Sequence, residues 1–182
     1  MGIVLLVLLV LVALWVMGAY NGLISLKNQV LNAWKQIDVQ LKRRHDLIPN
    51  LVNTVKGAME FERGTLEAVI SARAKALSAT GVAATAKAEG ELTQAVGKLF
   101  ALAENYPELK SSANVLQLQE ELGGTENKIS FARQLYNDTA TQYNTKQAQF
   151  PTNLVAGLAK ASPAELWQIT DEGERAVPKV QL

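Results

Sequence analysis

No charged side chain occurs between Met1 and Leu26, and Ile3 to Met17 is an unbroken run of Leu, Val, Ile, Ala, Trp and Met. At about 1.5 Å of rise per residue, a helix from Met1 to Tyr20 spans roughly the 30 Å hydrocarbon thickness of a bilayer. Trp15 and Tyr20 fall near one end of it, where amphipathic rings favour the interface. Residues 1–20 are therefore read as a transmembrane anchor in contact with the lipid bilayer. A cleavable signal peptide is the competing reading. It is disfavoured because Met17-Gly18-Ala19 is a poor cleavage site and no Lys or Arg precedes the apolar run. The basic residues Lys27, Lys35, Lys42, Arg43 and Arg44 all follow the span, which favours an outside N-terminus and a cytoplasmic body. A periplasmic body is the alternative, since only Lys27 and Lys35 lie within the range of about 20 residues that counts most.

A chain of 182 residues has room for one domain besides such an anchor. Its 18 Lys and Arg against 17 Asp and Glu give a net charge of +1, so no global excess points to nucleic acid. The absence of cysteine removes disulfides, thiolate metal sites, cysteine nucleophiles and lipidated cysteine. With His45 the single histidine, few metal or triad constellations can be assembled. No glycine-rich phosphate loop, serine elbow or zinc spacing occurs. The expectation is a protein that is not an enzyme, with no cofactor, no metal and no small-molecule substrate.

Beyond the anchor, apolar residues recur at helical spacing. Tyr20, Leu23, Val30, Trp34, Ile37 and Leu41 predict that one helix continues from the membrane to about residue 44, rigidly coupling anchor and body. Pro49 disfavours helical geometry at Ile48, which places a break between 44 and 50, with a kinked continuation as the alternative. Ile48, Val52, Val55, Met59, Glu62, Leu66, Val69, Arg73 and Ala76 form a heptad seam. A loop is expected over Ser78–Ala88, then a helix from about Ala88 to Asn105 carrying Leu92, Val96, Leu99 and Phe100. A further helix starts near Ser111 or Ser112 and reaches Gly123-Gly124, which reads as a short break or as a weak spot in one helix, and the seam goes on through Ile129, Tyr136 and Tyr143 to Pro151. A short helix over Thr152–Lys160 and a tail over 161–182 follow. No segment shows strand alternation. The fold class is all-α: a transmembrane helix continuing into an antiparallel bundle of about four helices over residues 21–160.

The strings Ala33-Trp34-Lys35-Gln36-Ile37-Asp38-Val39-Gln40-Leu41-Lys42-Arg43-Arg44 and Asp46-Leu47-Ile48-Pro49-Asn50-Leu51-Val52 closely resemble the LemA family. The likeness extends through Asn105-Tyr106-Pro107-Glu108-Leu109-Lys110, Tyr136-Asn137-Asp138, Tyr143-Asn144 and Phe150-Pro151, covering roughly residues 20–160. Met59-Glu60-Phe61-Glu62 departs from the pattern, as does the stretch after Ala156. The resemblance implies an N-terminal anchor, a helical bundle and a bacterial cell membrane, and it brings no catalytic activity or ligand with it.

Four sets of residues stand out. Lys42, Arg43 and Arg44 form a basic patch that reads either as a solvated helix end or as a contact for an acidic partner. Direct lipid contact is disfavoured, because residue 43 lies about 35 Å beyond Tyr20, several Debye lengths from the headgroups. Glu62, Arg73, Glu126 and Arg133 fall on otherwise apolar seams and read as paired polar layers that set helix register. A carboxylate metal site is the alternative, but its Glu-x-x-His pattern is missing. His45 beside Asp46 reads as an inert, exposed histidine at a helix end rather than a general base. Trp34, Tyr136 and Tyr143 read as core. The functional expectation is a membrane-anchored scaffold or adaptor that organises other membrane proteins or forms a homo-oligomer. An oligomeric membrane-shaping protein is the alternative, and an enzyme with an unfamiliar site the third reading.

Overall fold

A computed structural model describes residues 1–59 and 61–168. In chain order the helices are α1 (Gly2–Lys56), α2 (Arg63–Ser78), α3 (Val82–Ala103), α4 (Pro107–Lys110), α5 (Ala113–Ala148) and α6 (Asn153–Ala156). No strand occurs among the described residues. The chain divides into two compact units: residues 1–36 with 132–166, and residues 37–131 with the segment that begins at Trp167. α1 and α5 each contribute residues to both.

Three of the expected boundaries move, and one of the two alternatives at Gly123-Gly124 is decided. Pro49 does not end the first helix: α1 runs to Lys56 with Pro49 inside it. An interior proline costs about 3 kcal/mol. Ile48, Leu51, Val52 and Val55 are buried along the stretch around and after it. At roughly 1.5–3 kcal/mol for each buried aliphatic side chain, their packing outweighs the proline. The Ser78–Ala88 loop shrinks to residues 79–81, where Gly81 takes φ 84°, a conformation that favours glycine. α3 accordingly begins at Val82, as Thr85, Ala86 and Ala88 are buried on its first turns. Gly123 and Gly124 do not interrupt α5, because both face solvent while Leu122, Thr125 and Ile129 on either side are buried. The short helix after Pro151 is confined to Asn153–Ala156. Of the expected tail, residues 161–168 are placed and the remainder lies outside the described residues.

In the first unit Leu23, Val30 and Ala33 of α1 are buried, as are Ala132, Tyr136, Ala140 and Tyr143 of α5. Trp34 and Tyr136 meet edge to face, with ring centroids 5.4 Å apart. The Tyr136 hydroxyl donates to the Glu165 carbonyl at 2.6 Å. Asn144 grips Ala164 at both backbone groups: its Nδ2 donates to the carbonyl at 2.8 Å and its Oδ1 accepts from the N–H at 2.7 Å. The segment 164–165 is thus fastened to α5.

Burial, and after it the charge of Glu165, push the Tyr136 phenol above its ordinary ionisation range. In an unfolded chain this tyrosine ionises near pH 10, whereas the folded chain keeps it neutral. Its contribution to stability is therefore complete below about pH 10 and declines as pH climbs above it. We expect Tyr136→Phe to cost about 1 kcal/mol at neutral pH, the net worth of one hydrogen bond. Unfolding midpoints measured from pH 8 upward should fall less steeply for this variant than for the parent chain; parallel curves would refute the assignment.

The second unit has the larger apolar core. Ile48, Leu51, Val55 and Met59 pack with Leu66, Val69 and Ala76 of α2 and with Leu92, Val96 and Leu99 of α3. α4 adds Leu109, and the start of α5 adds Val115 and Leu122.

Candidate functional site

Inside this second unit, residues 44 and 45 gather polar groups from four helices. Arg44 and His45 are adjacent on α1, and they are only 5% and 6% exposed. Glu89 of α3, 3% exposed, receives both: Arg44 Nη1 reaches its Oε2 at 3.2 Å, and His45 Nε2 stands 2.6 Å from its Oε1. Arg44 Nη1 also lies 3.2 Å from Oε2 of Glu126 on α5, and its Nη2 donates to the Thr93 hydroxyl at 2.8 Å. Thr93 in turn donates to the Glu89 carbonyl one turn back. A buried guanidinium, two carboxylates and an imidazole are thereby paired in one cluster, which is the condition for burying charge at tolerable cost.

The fourth element joins through the backbone. Pro49 has no N–H, so the carbonyl of residue 45, its partner at i−4, lacks its helical hydrogen bond. Arg73 of α2 supplies the replacement, its Nε donating to the His45 carbonyl at 2.8 Å. The proline that interrupts the helical ladder thus creates the acceptor that fastens α2 to α1.

The polar seam residues separate into different settings. Arg73 and Glu126 belong to this cluster. Glu62, half-buried immediately before α2, accepts from the Tyr106 hydroxyl at 3.2 Å. Arg133, half-buried on α5, belongs to the first unit. In the basic patch, Lys42 and Arg43 face solvent while Arg44 turns inward, since positions 41, 44, 45 and 48 lie on one helix face. His45 is correspondingly buried within a helix, which corrects its reading as an exposed residue at a helix end.

Glu89 lies outside the sets that sequence alone singles out. Its signal is the spacing Glu89, Leu92, Val96, Leu99 and Ala103, which carries the α3 seam one position further toward the N-terminus. The break expected between residues 44 and 50 hides His45 and Arg44; a helix continuing to Ile48 places both on the buried stripe.

The His45–Glu89 pair has the atoms of an acid–base dyad. A groove in the second unit lies elsewhere, between the end of α1 and the start of α2. It encloses about 770 Å³ and is lined by Val52, Leu66 and Ile70 with Lys56, Arg63 and Glu67. Neither His45 nor Glu89 lines it. The cluster joins α1, α2, α3 and α5 through paired charges and hydrogen bonds. Among the described residues no three His, Cys, Asp or Glu side chains are grouped to hold a metal ion.

These features define a helical-bundle protein that has, among the described residues, one helix long and apolar enough to cross a membrane, and a buried ionic cluster in its second unit. The chain belongs to the LemA family, whose family model matches residues 33–182. It is similar to Protein LemA of Metamycoplasma hominis, 33% identical over 141 residues, covering 76% of this chain and 64% of that protein. The chain thus spans slightly less than two thirds of that relative. It also resembles the magnetosome proteins MamQ 1 and MamQ 2 of Paramagnetospirillum magneticum, each 23% identical over 189 aligned residues, covering 90% of this chain and 70% of each relative.

Proposed function

We propose that this chain is a membrane-anchored, non-catalytic scaffold or adaptor that organises partner proteins, or copies of itself, at a bacterial inner membrane, with its bundle in the cytoplasm. The observation that carries the reading is the start of α1. From Ile3 to Met17 no side chain is buried within the molecule, and all but Val16 are exposed. Each aliphatic side chain left in water forgoes roughly 1.5–3 kcal/mol, so a run from Ile3 to Met17 requires an apolar cover. A bilayer provides one. In this reading Lys42 and Arg43 are the exposed cations for an acidic partner, Arg44 having joined the interior. Glu62, Arg73, Glu126 and Arg133 serve as polar layers between helices.

The test is purification from native membranes after crosslinking, with mass determination. The chain should stay with the membrane through an alkaline carbonate wash and leave it in detergent. A small complex with a different protein would support the adaptor, and a large homo-oligomer the membrane-shaping alternative. A monomer with no crosslinked partner at native density would sink both. Orientation is open to the same preparation: with no native cysteine, Lys128→Cys provides a single exposed thiol. It should react with a membrane-impermeant maleimide only after the inner membrane is opened.

A further inference from the structure

Within the first unit, the chain after α5 makes a short excursion with two unlike faces. Thr152, Val155 and Ala159 are buried, while Phe150, Leu154 and Leu158 are 80%, 68% and 71% exposed. Three large exposed apolar side chains within a twelve-residue stretch, residues 149–160, are more than scattered surface hydrophobics.

Their position along the unit identifies the cover. Trp34 lies level with Tyr136, and α5 from residue 132 onward shares its unit with α1 up to residue 36, so α5 runs antiparallel to α1 toward the anchor. Ala148 is then about 18 Å beyond Tyr136, level with Gly22 on α1. The excursion starts there, and Asn144 fastens its return at Ala164. Val16 and Ala19 of α1 are half-buried while residues 1–15 are exposed, so the protein's own cover of α1 fades at the end of the apolar run. The excursion bearing Phe150, Leu154 and Leu158 therefore leaves α5 within about one helical turn of Tyr20.

Charge supports the same cover. The chain as a whole is nearly balanced, with 18 basic and 17 acidic residues. Yet no Asp or Glu occurs from Met1 to Ile37 or from Thr139 to Ala164, while Lys27, Lys146 and Lys160 do. Lys27 lies about 10 Å past Tyr20, within roughly a Debye length of headgroups at that level.

We infer that residues 149–160 are a second membrane contact, in which Phe150, Leu154 and Leu158 enter the interface of a bilayer whose anionic headgroups are met by Lys27, Lys146 and Lys160. The inference rests on the anchor reading above. It adds that the body is docked on the bilayer at two points, the arrangement that holds a helix-borne domain at a set angle.

The test uses the full-length chain in vesicles, with single thiols at Val12→Cys, Leu154→Cys and Lys128→Cys carrying an environment-sensitive fluorophore. Labels at positions 12 and 154 should both be blue-shifted and quenched by brominated lipid, the first deeply and the second shallowly, while position 128 reads as water. Lys146→Gln with Lys160→Gln should weaken quenching at 154 in phosphatidylglycerol vesicles, at about fivefold in docking equilibrium for each positive charge removed. Quenching at 12 without quenching at 154 overturns the second contact and leaves the anchor standing. A label at 154 that is blue-shifted but unquenched also overturns it, since protein rather than lipid then covers the face. Loss of quenching at 12 overturns the anchor itself.

Discussion

Glu89→Ala should destabilise the folded chain by about 3 kcal/mol, the lower end of the range for removing one partner of a buried ion pair. The variant leaves the Arg44 guanidinium, nearly excluded from water, without its buried carboxylate, and it removes the acceptor facing His45. Glu126 and Thr93 still contact Arg44, which is why the lower end applies. For a chain of this size the thermal midpoint should fall by roughly 6–12 °C. Glu126→Ala provides the contrast: its side chain is 36% exposed, and its loss should cost under about 1 kcal/mol. Replacing the pair together, as Arg44→Met with Glu89→Leu, should recover most of the loss, because no buried charge is then orphaned. Urea unfolding of the detergent-solubilised chain, followed by circular dichroism, reads all three. A Glu89→Ala midpoint equal to that of Glu126→Ala would show that the cluster does not hold α3 to α1.

Arg73→Met should cost about 2 kcal/mol, chiefly because the His45 carbonyl loses the donor that stands in for the absent N–H of Pro49. The distinguishing measurement is a double-mutant cycle with Pro49→Ala. Alanine restores the N–H at position 49, so the carbonyl regains its helical partner and Arg73 becomes dispensable. The cost of Arg73→Met should then shrink to about a few tenths of a kcal/mol, a coupling within the range for residues that share one group. Equal costs in both backgrounds would mean that Arg73 stabilises α2 by some route other than the freed carbonyl.

The members of the ionic cluster differ in how far sequence exposes them. Arg73 and Glu126 betray themselves by interrupting apolar seams. Arg44 and His45 do not, because Lys42-Arg43-Arg44-His45-Asp46 reads as uniformly polar until the helix is known to continue. Whether it continues depends on a comparison of energies. The local preference of Pro49 against helix is about 3 kcal/mol, and the packing of Ile48, Leu51, Val52 and Val55 exceeds it only when α2 and α3 are present to pack against. The same balance carries α5 through Gly123-Gly124. The excursion after α5 is legible only in part: Phe150-Pro151 marks a turn, but which of its apolar residues face outward follows from where Val155 and Ala159 are buried.

Periodicity by itself determined that the chain is helical, that its first residues suit a bilayer and that carboxylates and arginines interrupt its seams, because these properties depend on neighbours within a few turns. Tertiary structure decided where the helices end, that Glu89 meets Arg44 and His45, and that Arg73 caps the carbonyl freed by Pro49. Those pairings join residues up to 45 positions apart. A side chain's spacing states which face it occupies, and only the partner helix states what that face will meet.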